Sequence, residues 1–131
     1  MPANPSDISR LSAHELLRQY RDKSLSPVEA TQAVLARIEQ VNSVVNAFCV
    51  IDPDQALASA RESEDRWAKG APCGMIDGVP TTIKDVVLTK GWPTLRGSRA
   101  IDPGQPWDDD APCTARLRKQ GAVLLGKTTT P

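Results

Sequence analysis

The 131 residues carry no net charge, no long apolar run and no closely paired cysteines. Each lack removes a class of function. Lysine plus arginine and aspartate plus glutamate number 16 each, so neither nucleic acid nor an anionic membrane is favoured as a partner. No stretch approaches the ~20 apolar residues a membrane-spanning helix needs. The opening MPANPSDISR has no apolar core of a secretory signal. Cys49, Cys73 and Cys113 are odd in number and far apart, which argues against a disulfide scaffold or zinc site and for a reducing cytoplasm. The one histidine, His14, lies in a polar stretch and reads as solvated. There is no internal repeat and no low-complexity tract. The length suits one domain of about 100–200 residues.

The first half, residues 1–70, reads as helical. Ser12 and Glu15 have capping-box spacing ahead of an apolar face of Leu16, Leu17 and Tyr20. Ser26, Pro27 and Glu29 open a second helix, with Val28, Val34, Leu35, Ile38 and Val41 at helical spacing. A third begins at Asp52-Pro53 and stops near Gly70. Its inner face is mostly alanine with Leu57 and Trp67, as in a surface helix lying on something larger.

Residues 71–131 read as strand, long loop, helix, strand. GVPTTIKDVVLTKG is rich in β-branched residues and predicts a strand over Pro80 to Asp85. Residues 91–110 are dense in Gly, Pro and Asp and read as loop. APCTARLRKQ predicts a short helix with Pro112 in its first turn, stopped by Gly121. Asp108 to Asp110 are expected to stabilise its positive end. AVLLG is a continuous apolar run, as in a strand buried on both faces. The order suits a parallel, right-handed crossover.

GAVLLGKT, Gly121 to Thr128, matches the letter of the phosphate-binding loop. Its context rules that out. The first glycine follows a helix rather than a strand, the four intervening residues form an apolar strand, and TTTP is a poor helix start.

Lys84 is the candidate for chemistry. Ile83, Val86 and Val87 around it are apolar, so its ammonium is expected to be partly desolvated, and burial makes a lysine a better base. Asp85 would orient it or offset the shift. The plain alternative is an edge lysine that prevents sheet-to-sheet pairing. Trp92 and Trp107 read as packing under the long loop, with a place at a substrate entrance as the alternative.

The ordered series MIDGVPTTIKDVVLTKGWPTLRGSRA…APCTARLRKQGAVLLGKTTTP resembles the amidase-signature family. Gly-Val-Pro at 78–80, Lys84-Asp85, Gly97-Ser98, Leu117-Arg118, Gly121-Ala122 and Gly126-Lys127-Thr128 carry the likeness. SPVEATQAVLARIEQVNSVVNAF resembles the same family's N-terminal helices. The resemblance implies an α/β domain: N-terminal helices, then the first strands of a mixed central sheet within an α/β/α domain. It implies an amidohydrolase with a nucleophilic serine, a second serine in a cis peptide and a lysine, here Lys84. Lys84 is implied as the proton acceptor, in a Ser-Lys variant of triad logic. The substrate implied is a small-molecule amide, with no metal or organic cofactor. The family's Gly/Ser-rich serine signature falls after Gly-Lys-Thr, and no such stretch exists in the 131 residues. The chain is therefore expected to be an N-terminal piece, inactive alone. Ser98 follows a glycine in a loop but does not match the family's nucleophile position.

Two other readings remain at this level. One is the tRNA-dependent amidotransferase subunit that makes glutaminyl-tRNA from the misacylated form. Its Lys-Asp is usually followed by asparagine, where this chain has Val86. The other is a non-catalytic interaction module, self-associating through unpaired strand edges as a homo-oligomer.

Overall fold

The computed structural model describes residues 4–131, apart from the side chains of Pro5 and Ser6. The elements are α1 (Pro5–Ile8), α2 (Ala13–Arg21), α3 (Pro27–Val45), β1 (Phe48–Ile51), α4 (Pro53–Ala68), β2 (Pro80–Lys84), α5 (Pro112–Lys119) and β3 (Val123–Thr128). This is a mixed α/β fold.

The helix starts follow from their caps. Ser12 Oγ accepts from the Glu15 N–H at 3.3 Å while Glu15 accepts from the Ser12 N–H at 2.8 Å. Ser26 and Glu29 repeat the pattern at 3.2 and 2.8 Å, with Pro27 in the first turn, where a missing N–H costs nothing. Asp52 caps α4 by accepting from the Gln55 N–H at 3.1 Å. Asn46 ends α3 in the left-handed conformation at φ 49°.

The three strands lie in the order β1-β3-β2, with β2 parallel to β3 and β1 antiparallel to it. β1 corrects the expectation that residues 1–70 are wholly helical. Phe48–Ile51 is only four residues long, too short to show an alternating pattern between the end of α3 and the cap of α4. As the apolar run predicts, β3 is buried over Val123 to Lys127. Val123 and Leu125 face α3 and α4, meeting Ile38, Ala56 and Ala60. The alanines of α4 let the helix lie close against the sheet. Leu124 faces the other side, with Ile83, Trp92 and Ala122. Leu16, Tyr20, Leu25, Ala30 and Val79 fill a third cluster at the N-terminal helices.

Two irregularities interrupt the sheet. Phe48 pairs with Thr128 and Val50 with Lys127, so β1 carries one extra residue, Cys49. Phe48 and Val50, two apart, consequently pack on opposite faces. Between Thr81↔Leu124 and Ile83↔Lys127, β2 advances two residues and β3 three. That bulge takes Lys127 off the face that strict alternation would share with Val123 and Leu125. Gly126 is needed here: a Cβ on it would overlap the Val50 carbonyl oxygen.

Candidate active site

Lys84 is the last residue of β2, paired in register with Thr128 at the end of β3. Its side chain is exposed, contrary to the expected desolvation. Of its apolar neighbours only Ile83 is buried; Val86 is 46% exposed and Val87 only half-buried. Among the described residues Lys84 joins none of the ion pairs.

Asp85, next in sequence, turns inward and is buried. Its N–H donates to Thr128 O at 2.9 Å, and its carbonyl accepts from the Arg96 N–H at 3.0 Å. Its Oδ1 stands 3.3 Å from the ammonium of Lys127, an ion pair whose angles fall outside hydrogen-bond geometry. Lys127 is fully buried and donates to Thr94 Oγ1 at 2.6 Å and Pro93 O at 3.3 Å. An unpaired ammonium in that place would cost several kcal/mol, so Asp85 and these two oxygens are what allow it. Burial pushes the Lys127 pKa down, against the pull of Asp85. The Cys49 thiol closes the network, 3.5 Å from Lys127 O, with its pKa raised by burial and then by the Asp85 charge.

In the sequence Lys127 figures in the Gly126-Lys127-Thr128 family match and in a false phosphate-loop match, with no role attached to its side chain. The signal was a lysine directly continuing a buried strand, which demands a carboxylate nearby.

The loop after Thr94 crosses the ends of β2 and β3. Arg96 at φ 55° and Gly97 at φ 69° turn it, and a Cβ on Gly97 would stand 2.9 Å from Thr130 Oγ1. Ser98 is exposed, and its Oγ accepts from the Ala100 N–H at 3.1 Å. The structure thus brings Asp85, Thr94 and Lys127 together at the strand ends, with Lys84 beside them. Among the described residues no hydrogen bond joins Ser98 to Lys84.

The remaining residues have structural employment. Trp92 is buried, and its Nε1–H donates to Asp52 Oδ2 at 2.8 Å. Trp107 donates to Pro103 O at 2.9 Å within its loop. Asp110 makes no capping hydrogen bond to α5, whose cap is Ala111. It accepts from the Lys90 N–H at 2.7 Å and pairs with Arg118 at 2.8 Å instead, tying the loop to α5. A cleft of about 370 Å³ runs between Asp52, Trp92, Asp110 and Arg118, but both carboxylates in it are engaged. His14 is exposed. Among the described residues no group of three or more His, Cys, Asp or Glu is placed to hold a metal ion. No described helix is long and apolar enough to cross a membrane.

Comparison with known proteins gives a consistent picture. The Amidase family profile matches residues 29–131. A glutamyl-tRNA(Gln) amidotransferase subunit from Geobacter sp. (strain M21) is 43% identical over 123 residues, covering 92% of this chain and 24% of the relative. Among solved structures, a bacterial aryl acylamidase of the amidase signature enzymes is 31% identical with a TM-score of 0.87, covering 96% of this chain and 26% of its own. The peptide amidase from Stenotrophomonas maltophilia is 32% identical with a TM-score of 0.82, covering 92% and 25%. The chain spans about a quarter of the length of these relatives.

Proposed function

The chain belongs to the amidase family, and from that premise we propose that it supplies the lysine of a Ser-cisSer-Lys amidohydrolase acting on a small-molecule amide. The supporting observation is the placement of Lys84: it ends a strand, accessible, beside a carboxylate already held by another cation. In the completed domain Lys84 takes a proton relayed through the bridging serine. The nucleophilic serine, thereby freed, attacks the amide carbonyl. Ammonia or an amine leaves, and water releases the acid from the acyl-enzyme. The scheme needs proton transfer and an oxyanion site, with no metal or organic cofactor.

Both serines and the oxyanion loop belong to the Gly/Ser-rich stretch, which the 131 residues do not contain. On this reading the chain alone is inactive and the exposed Lys84 is covered only in a completed domain. With its three free cysteines it works in a reducing cytoplasm.

The test is ammonia release from simple amides by the 131-residue chain, beside a chimera in which it replaces the corresponding quarter of the aryl acylamidase. The chain should give no turnover, and the chimera should turn over aryl acylamide. Turnover by the chain alone, dependent on Ser98, would overturn the proposal.

A second reading is the subunit of a tRNA-dependent amidotransferase. The 43% identity to the Geobacter protein favours it, whereas Val86 in place of asparagine favours the stand-alone enzymes. Lys84 has the same role in either.

A further inference from the structure

We propose that Lys127 is a positioning residue for Lys84: held beneath the strand ends, it occupies the Asp85 carboxylate and so fixes the Lys84–Asp85 junction while leaving Lys84 no carboxylate to pair with. This rests on the reading of Lys84 as the proton acceptor.

A side chain like that of Lys127, with no exposed surface, is an expensive way to fill a core unless its charge is used. Its ammonium gathers three oxygens from two pieces of chain: Asp85 from the end of β2, and Pro93 O and Thr94 Oγ1 from the following loop. Cys49 of β1 is the other titratable group facing it. Thr94 also bonds back to Val87 O at 3.4 Å, and the Arg96 N–H donates to Asp85 O. The segment that follows Lys84 is therefore tied to one buried cation.

Successive strand residues point to opposite faces, which sends Asp85 inward and Lys84 outward. Even from the opposite face, an unpaired carboxylate one residue away would attract a positive charge on the general base. Lys127 removes the pull by taking the carboxylate itself. The bulge at Gly126 makes this geometry, because without the extra residue Lys127 would lie under α3 and α4.

Two readouts on the 131-residue chain test this without turnover. The first is amide hydrogen exchange at Asp85 and Arg96, with the Asp52 N–H, which donates to Leu125 O, as reference. The second is competitive acylation of Lys84 against exposed Lys90, read by mass spectrometry. In Lys127→Met the Asp85 and Arg96 amides should exchange about tenfold faster with Asp52 unchanged. Lys84 labelling should slow roughly threefold as the freed carboxylate acts on it. Adding Asp85→Asn should restore the labelling rate. Should Lys127→Met unfold, Lys127→Gln keeps a donor for Thr94 without the charge and should slow labelling equally. Unchanged Lys84 labelling in a folded Lys127→Gln or Lys127→Met chain would overturn the proposal, as would equal loss of protection at Asp52. A Lys84 that proves dispensable for amide hydrolysis would instead sink the proposed function while leaving these two results as measured.

Discussion

Under α3 and α4, Val123 and Leu125 of β3 meet Ala56, Ala60 and Ile38 in a layer closed to solvent. At the far end of the same strands, Lys84, Val86 and Ser98 are exposed. The contrast shows where this chain puts its stability and where it puts its chemistry. The helical side is held by apolar burial and capped helix starts. The strand ends are held by one buried charge pair and a few backbone hydrogen bonds, and they display the candidate base.

The largest effect that would upset this contrast lies at the crossing of β1 and β3. Gly126→Val should cost roughly 3–5 kcal/mol, because a Cβ there overlaps the Val50 carbonyl. Urea unfolding followed by circular dichroism measures it, and a near-neutral result would mean β1 is not held where described.

Next comes Asp77, fully buried and bound to Arg66 through two hydrogen bonds of 2.7 and 2.8 Å. Asp77→Ala should cost about 2 kcal/mol, below the usual figure for a buried pair because Arg66 is partly exposed. Burial raises the Asp77 pKa, but the Arg66 guanidinium and the Cys73 N–H outweigh it and hold the carboxyl below its ordinary value. A group lowered on folding stabilises the fold above its unfolded value. Its contribution should be whole above about pH 4 and lost as pH falls through the lowered value. The wild-type chain should therefore lose stability more steeply in acid than Asp77→Ala does; parallel curves would remove Asp77 from the account.

Trp92→Phe should cost about 1–2 kcal/mol, the amount for stranding one oxygen of Asp52. Ser26→Ala should cost about 1 kcal/mol, the loss of one helix cap. Thermal melts at neutral pH compare both. Lys84→Met should change stability by less than about 0.5 kcal/mol, since the side chain is exposed. That smallest effect is the most informative, because it separates a residue for folding from one for catalysis.

What the sequence made legible were features written locally. Ser12, Ser26 and Asp52 mark their helix starts within three residues, and all three caps are present. β2 and the buried β3 were readable from β-branched content and a continuous apolar run, as was their parallel pairing across α5. β1 was not, being four residues set between two helices. The exposure of Lys84 and the burial of Lys127 also escaped, for one reason. Each is decided by the bulges in β1 and β3 and by the loop that brings Thr94 to the strand ends, contacts between residues far apart in the chain. Alternation read along β3 alone would place Lys127 under the helices.

Lys84→Met in the chimera with the aryl acylamidase decides whether this lysine is the base, provided the unsubstituted chimera turns over. Turnover of aryl acylamide should disappear while the melting temperature stays within a degree or two of the unsubstituted chimera, as expected for less than about 0.5 kcal/mol in a large domain. Turnover that survives the loss of the amine would contradict the proposed role, since no proton acceptor would then be needed at the end of β2.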